Sequence, residues 1–108
     1  MGQSAKDLKR KALIEQMTEW LSVLRSALGV NQNEMAALAG ISRQTYSAIE
    51  TGKKSMNWNT FLSLFLLCYV NEKTKILMGK DPNFIRAVVS MLCLDPSKLN
   101  ENSPDNAR

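Results

Sequence analysis

Apolar residues recur at helical spacing along most of the chain, and this spacing constrains the fold more than any other feature. Within residues 13–28 the recurring apolar residues are Leu13, Met17, Trp20, Leu21, Leu24 and Leu28. Such a stripe marks the buried face of a helix, and Gly29 follows where a helix-ending glycine is expected. Because no segment alternates apolar and polar residues as a strand does, we predict an all-α fold.

Two short helices are predicted to follow. Asn31 and Glu34 have the spacing of a capping box, and this helix should end at Gly40. Ser42 should cap the next helix, which ends near Gly52. The inner face of the first short helix is predicted to comprise Met35, Ala36, Leu38 and Ala39.

The remaining helices are more apolar. Asn57 should cap a helix that begins at Trp58, and Asp81 followed by Pro82 should start another that ends at Asp95-Pro96. Residues 71–80 either extend the helix that begins at Trp58 or form a separate turn. We therefore expect a compact bundle of about five helices.

The length of 108 residues suits one domain. We expect a flexible basic N-terminus over residues 1–12, a single helical domain over residues 13–95 and a disordered tail over residues 96–108. The basic cluster Lys9-Arg10-Lys11 is interpreted as a solvated helix start, with a DNA-binding arm as the alternative.

Composition narrows the possible functions. The formal net charge of +4 is compatible with a nucleic-acid partner. Cys68 and Cys93 lie in apolar runs and are expected to be reduced core thiols. With no histidine in the chain, we predict no catalytic site, no metal site and no cofactor. The longest apolar run, residues 61–70, is too short to cross a bilayer, so we expect a cytoplasmic protein without a membrane partner.

Residues 31–52 have the features of a helix-turn-helix. Ala36 supplies a small residue where two helices cross, and Gly40 allows a left-handed turn. The residues predicted to hold the second helix against the core are Ile41, Tyr46 and Ile49. The opposite face of that helix carries Arg43, Gln44 and Ser47, where a groove-reading helix meets base edges.

The stretch from Leu28 to Lys53 resembles the lambda-repressor-like Cro/C1 (XRE) helix-turn-helix family. The matching features are Gln32 at the start of the first helix, the spacing Ala36-x-x-x-Gly40, the run Ser42-Arg43-Gln44-Thr45 and the ending Ile49-Glu50-x-Gly52-Lys53. The resemblance extends more loosely from about Leu21 to Leu67. It implies a bundle of four or five helices that binds operator DNA as a dimer.

The resemblance also implies site residues. Arg43, Gln44 and Ser47 correspond to base-reading residues, since Arg can bind guanine and Gln adenine through two hydrogen bonds. The residues implied as phosphate contacts are Asn31, Gln32, Ser42, Thr45, Thr51, Lys53 and Lys54. Tyr46 stands where the family usually has Ile or Val, which leaves its hydroxyl free to reach a phosphate. Glu50 is expected to be structural.

Residues 61–70 and 84–94 carry more apolar surface than the motif needs. One globule could bury it, or it could form an interface between two copies; we predict a homodimer through the C-terminal helices, about residues 58–94. The expected function is a transcriptional repressor that binds a palindromic operator in double-stranded DNA. The alternative is an antitoxin-type protein that binds a partner protein and represses its own operon.

Overall fold

The computed structural model describes residues 4–93, and these residues form six α-helices and no strand. The helices are α1 (Ala5–Leu28), α2 (Gln32–Ala39), α3 (Arg43–Glu50), α4 (Trp58–Val70), α5 (Glu72–Met78) and α6 (Pro82–Leu92). The predicted all-α fold is confirmed. The sixth helix arises because residues 72–78 form a separate helix.

Helix α1 begins at Ala5, eight positions before the first residue of the predicted stripe. Ser4 caps it: the Ser4 hydroxyl accepts the Asp7 backbone N–H at 3.1 Å. Residues 5–12 are therefore two further helical turns, where a flexible segment was expected. Apolar spacing missed them because they lie at the edge of the core, with Leu8 54% exposed.

The core forms where α1 crosses α4 and α6. Met17 and Leu21 of α1 and Phe61 of α4 are fully buried. Phe84 of α6 packs edge-on against Trp20, with ring centroids 4.8 Å apart, and lies 6.2 Å from Phe61. This aromatic cluster ties α6 to both α1 and α4, and edge-to-face contacts of this kind add to the free energy gained by burial.

A polar contact explains why the chain turns between α4 and α5. Asn71 has an extended backbone conformation, with ψ at 131°, and this ends α4. The hydroxyl of the buried Thr74 then donates to the backbone oxygen of Cys68 at 2.6 Å. The carbonyl at the end of α4 is thus satisfied by a side chain of α5. Residues 71–80 therefore do not extend α4, and where the alternative was a separate turn the structure has a separate short helix.

Two predictions of burial are wrong. Leu38 lies on the outer face of α2 and is 58% exposed. Cys93 is exposed at the end of α6, whereas Cys68 is buried in α4 as expected. Leu38 lies beside the buried Ala39 but on the outer side of α2, and Cys93 follows the last residue of α6, so an apolar run did not indicate burial there.

Helix α6 ends at Leu92, because Cys93 already has an extended backbone conformation, so the predicted end at Asp95-Pro96 was placed too late. The predicted disordered tail over residues 96–108 lies outside residues 4–93. The assignment of residues 13–95 to one domain stays a prediction. Within the described residues, no helix combines the length and the apolar character needed to span a membrane.

Candidate nucleic-acid interface

Helices α2 and α3 form a corner whose two ends are fixed by local contacts. The Asn31 side chain accepts the Glu34 backbone N–H at 2.8 Å, and the Glu34 carboxylate accepts the Asn31 N–H at 2.9 Å. The predicted capping box is confirmed. Gly40 ends α2 with φ at 77°, and the Ile41 N–H donates to the Ala36 oxygen at 3.0 Å. The turn at Gly40 and Ile41 sets the angle between the two helices.

The outer face of α3 is the surface that the sequence predicted for base reading. Arg43 and Gln44 are exposed on its first turn, and Ser47 lies half-buried one turn later. A shallow groove of about 290 Å³ runs along this face, lined by Arg43, Gln44, Ser47, Ala48, Thr51 and Lys53. The structure thus brings the three predicted base-reading residues together.

Ala48 was absent from the predicted site, yet it lines the same groove. Its methyl group is an apolar surface among polar side chains, and alanine can pack against the methyl group of thymine. The sequence places Ala48 directly after Ser47, which could have indicated that it belongs to the site. It was missed because base-contacting residues were sought among polar side chains.

The first turn of α3 is stabilised by Ser42. Its hydroxyl accepts the Thr45 N–H at 3.0 Å and donates to the Thr45 hydroxyl at 2.9 Å. The Thr45 hydroxyl therefore keeps its own proton for an external acceptor. By contrast, the Thr51 hydroxyl donates to the Ser47 oxygen at 2.9 Å, so it must rotate away from that oxygen before it can donate to a phosphate.

Glu50 at the end of α3 is the centre of a network that joins three helices. Its carboxylate accepts hydrogen bonds from Arg25 Nε at 3.0 Å and Nη2 at 3.2 Å, both from α1. It also accepts Gln32 Nε2 of α2 at 2.7 Å and the Tyr46 hydroxyl at 2.8 Å. Arg25 Nη1 donates further, to the Val30 oxygen at 3.2 Å. One carboxylate thereby fixes α3 against α1 and α2.

The network shifts the ionisation of its members. Burial alone would raise the pKa of Glu50, but hydrogen bonds from Arg25, Gln32 and Tyr46 outweigh it and hold the pKa below its ordinary value. Burial and the hydrogen bond to Glu50 raise the pKa of Tyr46. The hydrogen bond to Glu50 raises the pKa of Arg25. Glu50 and Arg25 are therefore both charged at neutral pH.

Two predicted roles change in the light of this network. Tyr46 is fully buried and its hydroxyl donates to Glu50, so the expectation that it reaches a phosphate is wrong. Gln32 is half-buried and its amide donates to Glu50. Its phosphate contact stays a prediction, and the structure adds a positioning role for its side chain. The structural role predicted for Glu50 is confirmed.

The loop of residues 51–57, which we call the exit loop, leads from α3 to α4. The backbone N–H groups of Lys53 and Lys54 both donate to the Ala48 oxygen, at 2.8 and 3.1 Å. Both lysines are exposed. They lie at the end of α3 beside the groove, where a phosphate backbone would pass if α3 entered a major groove.

A comparison with known protein families identifies the same segment as a helix-turn-helix. The family model described as helix-turn-helix matches residues 22–56, a range that holds the whole α2–α3 corner and most of the exit loop. No curated protein and no solved structure matches the chain. Within residues 4–93, no group of three or more potential metal ligands was found.

Proposed function

We propose, from the premise that residues 22–56 form a Cro/C1-type helix-turn-helix of a DNA-binding transcription regulator, that this protein is a repressor of a palindromic operator. In this proposal α3 enters the major groove, and bound protein blocks transcription without a chemical step. The observation that carries it is the groove on α3, whose base-reading candidates Arg43 and Gln44 are exposed, with the Arg43 guanidinium in no ion pair within residues 4–93.

The proposed roles of the site residues follow from the hydrogen-bonding groups of their side chains. Arg43 and Gln44 can each present two donors or a donor and an acceptor to a base edge, and Ser47 can bind either kind of partner. Lys53 and Lys54 can bind phosphates irrespective of sequence. The other proposed phosphate contacts are Asn31, Gln32, Ser42, Thr45 and Thr51.

Selection of bound sequences from random DNA tests this proposal directly. We expect two related half-sites about one helical turn apart. Replacement of Arg43 or Gln44 by Ala should cost about 1–3 kcal/mol on the selected site and relax base preference, whereas Lys53→Ala should weaken binding to all sequences. Equal effects of all three variants on selected and random DNA would contradict the assignment of roles.

Dimerisation through the C-terminal helices is the second part of the proposal. Support comes from large apolar side chains left exposed on α4, α5 and α6, namely Leu66, Tyr69, Val70, Ile76, Val89 and Leu92. Such side chains are candidates for an interface between two copies.

Sedimentation at roughly ten to a hundred micromolar protein should show a dimer in the absence of DNA. Paired replacement of Val89 and Leu92 by Lys should convert it to a monomer, while Leu38→Lys on α2 serves as the control for an added surface charge. A wild-type monomer at these concentrations would refute the dimer and leave DNA binding by single domains.

A further inference from the structure

The first turns of α1 carry a basic cluster whose members face different parts of the molecule. Lys9 lines a groove between α1 and α6 that also includes Ala87 and Met91. Lys11 is exposed. Arg10, which lies between them in the sequence, is half-buried, and its guanidinium lies 5.0 Å from the ring centroid of Trp58. The structure thus separates one arginine from its basic neighbours and places it at the start of α4.

Arg10 is held by stacking and not by an ion pair. Its Nε is buried and has no hydrogen-bond partner within residues 4–93. The one ion pair in that range joins Arg25 to Glu50. A guanidinium stacked on an indole keeps its charge, and its planar edge can bind a phosphate with two hydrogen bonds. Arg10 is therefore a fixed cation whose charge no carboxylate of these residues neutralises through an ion pair.

The position of Arg10 is continuous with the proposed DNA-binding surface. The groove on α3 reaches Lys53 of the exit loop. A second groove joins the exit loop to α1 through Lys54 and Ser55 on one side and Ile14 and Thr18 on the other. Arg10 lies one helical turn before Ile14, on the same side of α1. The surface thus runs from α3 along the exit loop to Arg10.

We propose that Arg10 binds a DNA backbone phosphate that flanks the half-site read by α3, and that Trp58 positions its guanidinium. Lys6, exposed one turn earlier on the same side of α1, adds positive charge to this contact. The inference rests on the proposed function, because it needs α3 in the major groove. It adds a phosphate contact outside residues 31–54, the range of the predicted base-reading and phosphate-binding residues, and for Arg10 it favours the DNA-binding alternative of the basic cluster over a solvated helix start.

Two carboxylates lie between Arg10 and the exit loop and limit where a DNA phosphate can bind. Glu15 and Glu19 line the groove between α1 and the exit loop, and both are exposed. They repel a phosphate from the middle of that groove. The backbone would thus be bound at its two ends, by Lys54 in the exit loop and by Arg10 beside Trp58.

Matched charge variants test the proposal. Arg10→Gln and Lys11→Gln each remove one positive charge from the same helix, but only the first removes the stacked cation. Affinity for the selected DNA is measured across a series of salt concentrations. We expect the slope of log affinity against log salt to fall by about 1 for Arg10→Gln and to stay unchanged for Lys11→Gln, with selected and random DNA affected alike.

The outcomes separate this inference from the proposed function. If wild-type protein selects no DNA, the proposed function fails and this contact fails with it. If wild-type protein binds selected DNA but both variants have the wild-type slope, only the role of Arg10 is refuted. Equal reductions for both variants would also refute it, because they would indicate a general effect of charge.

Tryptophan fluorescence supplies a second measurement. The chain has two tryptophans, so Trp20→Phe leaves Trp58 as the one emitter and keeps an aromatic ring against Phe84. Addition of selected DNA should change the Trp58 emission, and Arg10→Gln in the same background should reduce that change. An emission that stays constant at saturating DNA would contradict a phosphate beside Trp58.

Discussion

The two halves of this molecule share one apolar core, to which α2 and α3 contribute Met35 and Ile49, but they differ in the polar contacts that orient their helices. Helices α2 and α3 are short, and their orientation depends on caps and on the hydrogen bonds that converge on Glu50. Helices α4 and α6 depend on apolar contacts, above all the rings around Phe84. Hydrogen bonds are directional and packing is much less so. The half that carries the proposed base readers is the half in which a network of directional hydrogen bonds adds to the packing.

The difference also appears at the surface. The outer face of α3 is polar, with Arg43 and Gln44 exposed. In contrast, α4 and α6 expose large apolar side chains, such as Leu66 at 60% and Leu92 at 54%. A polar face suits a hydrated partner such as DNA, and an apolar face suits a second protein surface. The two halves are thus suited to different partners.

The largest effect on stability is expected in the half formed by α4 and α6. Phe84→Ala removes a ring that is 2% exposed, and it should lower the free energy of unfolding by about 3–5 kcal/mol. Urea unfolding followed by circular dichroism measures this. Ser90→Ala, at an exposed position of the same helix outside the proposed interface, is the control and should change stability by less than about 0.5 kcal/mol. Similar losses for both variants would mean that α6 is not anchored through Phe84.

In the half formed by α2 and α3, the largest loss of stability is expected from replacing Glu50. Glu50→Ala leaves Arg25 and Tyr46 without their acceptor and should cost about 2–3 kcal/mol, less than a fully buried pair because Arg25 is 24% exposed. Because α3 then loses its anchor, affinity for selected DNA should fall further than the unfolded fraction explains. Glu34→Ala removes a carboxylate from the capping box and is the control. A Glu50→Ala variant that keeps full affinity when folded would show that the network does not position α3.

Lowering the pH should reduce the stabilisation that the hydrogen bonds to Glu50 give to α3. The folded pKa of Glu50 lies below its ordinary value of 4.5, so its ionised form stabilises the fold fully above that value. This contribution is lost as pH falls through the lower, folded pKa. Urea midpoints measured between neutral pH and about pH 3 should therefore fall more steeply in wild-type protein than in Glu50→Gln. Parallel curves for the two proteins would refute the assignment.

The smallest effect concerns the start of α3. Ser42→Ala removes the N-terminal cap of α3 and should cost about 1 kcal/mol in stability. Asn57→Ala removes the equivalent cap of α4, whose side chain accepts the Thr60 N–H at 2.8 Å, and should cost a similar amount. Only Ser42→Ala should also weaken DNA binding, because Ser42 caps the helix that carries the proposed base readers and is itself a proposed phosphate contact. Equal effects of the two variants on binding would contradict the separation of the two halves.

Sequence reasoning recovered the features that are local along the chain. The caps at Asn31, Ser42 and Asn57 and the turn at Gly40 each depend on residues within about four positions. All of them are confirmed. The exposed positions of Arg43 and Gln44 followed from helical periodicity, which is also a local property.

What the sequence could not predict depends on contacts between distant residues. Arg25 and Glu50 are 25 positions apart, and neither residue type nor spacing pairs them. The stacking of Arg10 on Trp58 likewise needs α1 and α4 to be packed before it exists. Tyr46 was correctly predicted to lie in the core. Its hydroxyl was predicted to contact a phosphate because the sequence does not show that the Glu50 carboxylate lies beside it as an acceptor.

The two cysteines have a practical consequence for labelling. Burial raises the pKa of Cys68 to about 11, although the neighbouring Thr74 hydroxyl acts to lower it, so at neutral pH its thiol stays protonated and unreactive. Cys93 is exposed at the end of α6. A maleimide dye should therefore attach at one defined position in the unmodified sequence. In a dimer formed through the C-terminal helices, the two dyes would report the separation of the subunits by energy transfer.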